Sequence, residues 1–255
     1  MPLPNLIKVK GVFVTGTDTG VGKTWIAAGI TAVLRGWGLS ACYFKPVQSG
    51  CPEENGKLIP TDARFARELA GLDEPLDLLT PVTLRLPLAP GVAAVYEGVE
   101  VDLDRITQAR EELAGRYELL VTEGAGGLYV PLTETNFLVL DMIRWLRLPL
   151  IVVARAGLGT INHTALTVKA AQHAGVPVAG VVINRYPEKP SLAEETNPEV
   201  IAALTNTPIL GKVPEISPLS TPAGKKAFLA AMEQVCHTLA QASAARAFLK
   251  YMVTE

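Results

Sequence analysis

Aromatic residues are scarce in this chain of 255 residues, only 6% of the total, so any core must be largely aliphatic. Charge is sparse as well, 19% against 49% hydrophobic residues, which excludes a disordered chain and favours sheets buried on both faces. Neither sign of charge is in surplus. The 23 Lys and Arg against 25 Asp and Glu leave a net charge of −2, without the basic excess that neutralising a phosphate backbone requires. No nucleic-acid partner is therefore expected. Cysteine is limited to Cys42, Cys51 and Cys236, which form neither an even disulfide set nor a C-x-x-C metal pattern. They read as reduced packing or surface thiols in a cytosol-like compartment. Long apolar runs are missing: Leu148 to Ala154 is the longest, far short of the roughly 20 residues of a membrane span. The opening MPLPNLIKVKG lacks the apolar stretch of an export signal, so a cytoplasmic protein is expected. There is also no Ser/Gly-rich linker, internal repeat or break in composition. The length alone gives about 1.7 domains at the usual divisor, and these absences favour one domain over 1–255.

What is present is alternation. Residues 11–15, 41–44, 119–122, 150–154, 178–183 and 209–210 are aliphatic or β-branched runs bounded by Gly, Pro or charge, and read as buried parallel strands. Between them lie helix patterns near 22–36, 61–70, 102–115, 136–146, 160–174 and 195–204, then a long one over much of 222–251. Thr61-Asp62 and Thr160 look like helix starts, and Pro149, Pro177 and Pro208 stand at or just before the next strand. The fold class expected is α/β: a single-domain, P-loop NTPase-like, mostly parallel sheet with helices on both faces. Its ligands should gather beyond the carboxyl ends of the strands. The Pro-rich stretch 76–101 breaks the rhythm and reads as an irregular insertion near that rim.

Each rim segment carries chemistry. After the first strand comes Gly16-Thr-Asp-Thr-Gly20-Val21-Gly22-Lys23-Thr24, then a helix. This is a phosphate loop: small residues let successive N–H groups face phosphate oxygens, Lys23 reaches the outer phosphates and the Thr24 hydroxyl suits Mg²⁺. It misses the strict G-x-x-x-x-G-K-[ST] pattern by one residue, because Thr17 stands where the first glycine belongs. No dinucleotide fingerprint G-x-G-x-x-G is present. The second strand runs into Lys45-Pro46-Val47-Gln48-Ser49-Gly50, placing a second ammonium where charge on a transferring phosphoryl group would develop. Asp62 taken alone is an ordinary first-turn carboxylate. Glu123 is more pointed: it ends an aliphatic strand before Gly124-Ala125-Gly126-Gly127, where a carboxylate commonly anchors the metal of a phosphate-loop enzyme. Asn184 ends another strand; its amide suits the donor and acceptor edge of adenine, and it serves equally well as a turn-capping Asn. The guanine-reading Asn-Lys-x-Asp is absent, which weighs for ATP over GTP. Leu158-Gly159-Thr160-Ile161-Asn162-His163 opens a helix whose free N–H groups could seat a carboxylate. His163, His173 and His237 share no metal-ligand spacing and receive no catalytic role.

Taken together, GTDTGVGKT, FKPVQSG, the Thr-Asp helix start, VTEGAGG, GLGTINH and VVINR, in that order from about residue 11 to about residue 216, resemble the dethiobiotin synthetase family. The resemblance implies a homodimeric, ATP- and Mg²⁺-dependent cyclo-ligase that converts 7,8-diaminononanoate, CO₂ and ATP into dethiobiotin, ADP and phosphate. It implies Thr24, Asp62 and Glu123 around Mg²⁺, and Gly20 to Thr24 with Gly124, Ala125 and Gly126 around phosphates. Asn184 would face adenine, with Pro214, Glu215 and Ile216 at the nucleotide edge. Lys45, with Lys23, would be catalytic and Ser49 a substrate contact. The substrate carboxylate would sit across the dimer at Gly159, Thr160, Ile161 and Asn162. Two departures stand out. Gly20 occupies a position where some members carry glutamate, so cradling there rests on backbone. After Ile216 the match is weaker, and no ribose or adenine contact is assigned.

Two other classes share parts of this pattern. A partition- or metal-insertion-type ATPase switch has the same architecture but typically carries a second lysine inside the phosphate loop; here Thr17, Asp18, Thr19, Gly20 and Val21 fill it. A corrinoid amide ligase would need an ammonia source, usually a glutaminase domain, and the tail after residue 216 is too short for one.

Overall fold

The computed structural model describes residues 10–134, 137–216 and 221–242. In chain order the strands are β1 (Lys10–Gly16), β2 (Ala41–Phe44), β3 (Val47–Gln48), β4 (Glu53–Glu54), β5 (Lys57–Leu58), β6 (Val82–Thr83), β7 (Leu119–Glu123), β8 (Leu150–Arg155), β9 (Val178–Tyr186) and β10 (Ile209–Pro214). The helices are α1 (Lys23–Gly36), α2 (Thr61–Ala70), α3 (Leu76–Leu79), α4 (Pro90–Glu97), α5 (Leu103–Arg116), α6 (Val139–Leu146), α7 (Thr160–His173), α8 (Leu192–Thr205) and α9 (Pro222–Gln241).

Six strands form one sheet in the order β10-β9-β8-β1-β7-β2, every pair parallel. Its central strands, β1, β7 and β8, are aliphatic and buried almost end to end, as strands covered on both faces must be. The right-handed crossover rule then places the helices. From β1 the chain crosses towards the β2 edge through α1. The later crossovers through α5, α6, α7 and α8 all run the other way, so they lie on the opposite face. The last helix, α9, returns to pack on α1. β1 is therefore the strand where the winding reverses, and the crevice beyond its C-terminal end is where such a sheet binds ligands. Register aligns the ends there: Val14 pairs with Glu123, Phe44 with Thr122 and Arg155 with Asn184.

Thr61 and Thr160 open α2 and α7 as the sequence reading expected, with Pro60 and Gly159 at the capping positions and no side-chain cap at either. Other boundaries differ. Helix α8 begins at Leu192, three residues earlier than expected, because Glu194 reaches back to accept from the Ser191 N–H at 2.7 Å. Helix α6 begins at Val139, with the Leu138 N–H held by Asp141 Oδ2 at 3.0 Å. The stretch 76–101 is not irregular. It holds α3, β6 and α4, and α4 starts at Pro90, whose ring is preset for the first helical position and whose missing N–H costs nothing there. The long helix expected over much of 222–251 is α9, which ends at Gln241 before an extended Ala242; residues 243–251 of that reading lie outside the described residues.

Candidate functional site

The phosphate loop forms because β1 stops at Gly16 and α1 starts at Lys23, leaving six residues to turn over the end of the sheet. Gly22 makes the turn possible: its φ is +97°, and an added Cβ would lie 2.0 Å from the Asn184 Nδ2. That same Nδ2 donates to the Val21 carbonyl at 2.8 Å, so buried Asn184, within β9, fastens the loop from behind. At the front, Arg155 from the end of β8 donates to Asp18 Oδ2 at 2.6 Å, and the Thr19 N–H donates to Asp18 Oδ1 at 2.7 Å. Lys23 folds back so that its Nζ donates to the Asp18 carbonyl at 3.0 Å. Burial pushes the Lys23 ammonium below its ordinary range, with Glu123 opposing that shift.

Beside the loop the strand ends bring together a compact polar cluster. Lys45, just beyond β2, is buried and donates to Glu123 Oε1 at 2.8 Å and to Asp62 Oδ2. The Thr24 hydroxyl donates to the same Glu123 Oε1 at 2.9 Å. On the far side of that carboxylate the Tyr43 hydroxyl donates to Oε2 at 2.6 Å, within the core. Burial works against charge on Lys45, but Glu123 and Asp62 more than offset it and its ammonium is held above the ordinary range. Tyr43 is pushed well above its usual value by burial and by Glu123, so the phenol stays a donor. Asp62 is placed by Gln48: the Asp62 N–H donates to Gln48 Oε1 at 3.1 Å, and Gln48 Nε2 donates to the Thr61 hydroxyl at 2.9 Å. Gln48 thus supplies the first turn of α2 with the partner that Pro60 cannot offer.

Loop and cluster face one cleft of 810 Å³. Of the residues singled out in the sequence, Gly20, Gly22, Lys23, Thr24, Lys45, Ser49, Asp62, Glu123, Ala125 and Gly126 line it. Val21 is buried beneath the loop. Gly124 stands apart from its neighbours: its N–H is spent on the Val14 carbonyl at 3.0 Å, and a Cβ there would lie 2.7 Å from the Phe13 ring. Close packing, not a phosphate, accounts for a glycine at 124. Asn184 does not line the cleft, nor do Pro214, Glu215 and Ile216 at the end of β10. Gly159, Thr160, Ile161 and Asn162 open α7 outside the cleft; Asn162 is exposed, while Thr160 is buried with its hydroxyl 3.3 Å from that of Thr164. Further residues line it, some of them in the 76–101 segment expected near the rim. Trp25 and Phe65 stack at 5.8 Å between α1 and α2, Pro87, Leu88, Ala89 and Pro90 line it where the chain enters α4, and Arg185 of β9 lines it as well. One signal for Tyr43 was available: a phenol in a buried four-residue strand needs a partner for its hydroxyl.

The donor set decides what the cluster could hold. Two carboxylates and a hydroxyl, Asp62, Glu123 and Thr24, are hard oxygen ligands of the kind Mg²⁺ takes through one or two carboxylates plus phosphate oxygens and water. Their meeting with a phosphate loop and a buried ammonium suits phosphoryl transfer. The described part of the cleft offers no hydroxyl or thiol paired with a histidine for covalent catalysis.

A family model described as an AAA domain matches residues 10–223. An ATP-dependent dethiobiotin synthetase BioD from Anaeromyxobacter dehalogenans (strain 2CP-C) is 48% identical over 208 residues, 81% of this chain and 90% of that protein. One from Thermodesulfovibrio yellowstonii is 42% identical over 217 residues, 82% of this chain and 90% of that protein. Among solved structures, the MinC:MinD cell division complex of Aquifex aeolicus superposes with a TM-score of 0.54 at 14% identity, covering 92% of this chain and 97% of that one. A ParA family ATPase from Chlorobium tepidum TLS gives 0.51 at 12% identity, with 96% and 98% covered. At those identities the structural likeness speaks for the fold alone.

Proposed function

The chain belongs to the dethiobiotin synthetase family, and from that premise we propose that it uses ATP and CO₂ to close the ureido ring of dethiobiotin on 7,8-diaminononanoate, releasing ADP and phosphate. The observation that carries this reading is the placement of Lys45: a buried ammonium on Asp62 and Glu123, beside Thr24 and the phosphate loop. Thr24, Asp62 and Glu123 would hold Mg²⁺, which would supply charge neutralisation to the phosphates. The N–H groups from Gly20 to Thr24 cradle the phosphates, with Ala125 and Gly126 opposite.

The chemistry needs positioning and neutralisation and no side-chain nucleophile. One substrate amine adds to CO₂, losing a proton, to give a carbamate. A carbamate oxygen attacks the γ-phosphorus, and the bond to ADP breaks. The second amine then attacks the carbonyl carbon of the mixed anhydride; phosphate leaves and the ring closes with loss of a proton. Lys23 and Lys45 stabilise the charge on the transferring phosphoryl group, and Ser49 at the cleft edge contacts the diamine. Asn184 tethers Val21 from outside the cleft, and with Pro214, Glu215 and Ile216 it would meet the adenine only where the nucleotide extends beyond the cleft.

The same reading makes 1–255 one catalytic domain that works in the cytoplasm as a pair of identical chains. Three buried thiols without disulfides fit a reducing compartment, and among the described residues no helix is long and apolar enough to cross a membrane. Pairing is supported by exposed leucines before and along α7 and α8, with Leu158 85% and Leu192 76% exposed. It would bring Gly159 to Asn162 of one chain to the substrate carboxylate in the cleft of the other. The ATPase-switch alternative shares the fold but lacks its second loop lysine here. Mass spectrometry of products from ATP, bicarbonate and 7,8-diaminononanoate tests the proposal. Dethiobiotin and ADP should appear in equal amounts; equal ATP hydrolysis without the diamine would overturn it in favour of the switch.

A further inference from the structure

We propose that Tyr43 is a positioning residue for the metal site, holding the Glu123 carboxylate so that Oε1 alone is presented to the cleft. The inference rests on the reading of Glu123 as a metal ligand. Glu123 ends β7, and its two oxygens face different surroundings. Oε1 meets the Thr24 hydroxyl and the Lys45 ammonium in the cleft, whereas Oε2 is turned into the core and meets the Tyr43 hydroxyl at 2.6 Å. Tyr43 belongs to the neighbouring strand β2, where it pairs with Val121, and it is fully buried. Its ring does not line the cleft, so it has no route to a nucleotide or metal except through Glu123.

The consequence is orientational. A carboxylate with one oxygen pinned by a rigid, packed phenol cannot swing about its last torsion, and its other oxygen keeps a fixed direction. Such outer partners of a metal ligand commonly govern affinity by about 10- to 100-fold. Without the hydroxyl, Oε2 would lose its partner in an apolar wall, and the carboxylate would rotate to share Oε1 or to recruit water. The alternative is that the phenol merely finds the nearest acceptor and affects folding stability only.

The test is Tyr43→Phe, which keeps the ring and removes the hydroxyl, compared with Glu123→Gln and with the double variant. Mn²⁺ binding is followed by electron paramagnetic resonance, with ADP held below the chain concentration; melting in EDTA shows that each variant is folded. Tyr43→Phe should weaken Mn²⁺ binding about tenfold. It should raise the Mg²⁺ concentration for half-maximal ATP turnover by a similar factor and leave kcat at saturating Mg²⁺ within twofold. In the Glu123→Gln background the same change should have no further effect. Mn²⁺ affinity within twofold of the parent for Tyr43→Phe, or an equal loss in the Glu123→Gln background, would refute the role of Tyr43. If Glu123→Gln itself leaves Mn²⁺ affinity unchanged, the metal assignment falls first and the positioning role falls with it.

Discussion

Replacing Lys45 by methionine removes a buried ammonium while keeping most of its volume. The Lys45 Nζ lies 2.8 Å from Glu123 Oε1, and at an effective dielectric constant of 20 that attraction is about 6 kcal/mol. Desolvation of the ammonium offsets much of it, and deleting one partner of a buried pair typically costs about 3–5 kcal/mol. Asp62 retains 31% of its side-chain exposure, so water screens its share and the lower figure applies. For a chain of this size each kcal/mol moves the melting temperature by about 2–4 °C, so Lys45→Met should melt roughly 6–12 °C lower in EDTA. Adding Mg²⁺ and ADP should raise the melting temperature of the variant more than that of the parent, because a dication replaces the charge the carboxylates have lost. On the proposed mechanism kcat should fall by about two to three orders of magnitude with the KM for ATP within threefold. Scanning calorimetry with and without metal, together with steady-state turnover, checks both halves. A melting temperature in EDTA within 2 °C of the parent would refute the counter-ion argument, and a loss confined to KM would refute the transition-state role.

Gly22→Ala should lower ADP affinity at least tenfold, since the new Cβ meets the Asn184 amide at a φ few side chains adopt; calorimetric titration measures it. Trp25 is the tryptophan that lines the cleft, so ADP should change the intrinsic fluorescence, and Trp25→Phe should abolish the change while Trp37→Phe does not. The buried thiols should be inert. Burial pushes Cys51 up to about 11 and Cys236 up to about 12, so at pH 8 about one Cys51 in a thousand is a thiolate, and a disulfide reagent should label the folded chain slowly but the guanidinium-unfolded chain at all three cysteines. Because these raised values keep the folded thiols protonated while unfolded ones ionise, stability is fully present below about pH 8.5 and falls as pH rises towards 11. A urea midpoint lower at pH 10 than at pH 7.5 is the expected result.

The sheet was legible because its signals are local. A run such as Leu150 to Ala154 is aliphatic throughout, follows a proline and is too short for a helix, so burial on both faces follows from the residues themselves. Lys45 and Glu123 could be singled out because strand ends in such folds face the ligand, Thr24 because it closes the phosphate loop, and Asp62 only through the family resemblance; the structure gathers those four within hydrogen-bonding reach. What escaped was set by distant neighbours. Tyr43 reads as one more core aromatic until β7, 80 positions later in partner numbering, brings Glu123 against it. Gln48 looks like an ordinary loop amide until its two bonds to the start of α2 are seen. The segment 76–101 looked irregular because its prolines read as breakers, although Pro90 begins a helix there.

The electrostatics of the cleft explain how a chain of net charge −2 could take up a nucleotide triphosphate. Within the cluster the two ammonium groups, Lys23 and Lys45, are matched by two carboxylates, Asp62 and Glu123, and among the described lining residues the surplus side-chain charge is that of Arg185. Beyond Arg185, the attraction must come from groups that carry no formal charge or arrive with the ligand. The first are the backbone N–H groups of the phosphate loop and the positive end of α1, which need no counter-ion and stay fixed because Asn184 and Arg155 hold the loop from both sides. The second is the divalent cation itself. On the proposed reading this division has a mechanistic use: Asp62 and Glu123 would hold the cation, and the Lys45 charge they neutralise in its absence would be available to the phosphoryl group. With the metal in place the side chains and cation would carry a positive surplus to set against the polyanionic triphosphate, which suits an enzyme that must bind its nucleotide and its metal together.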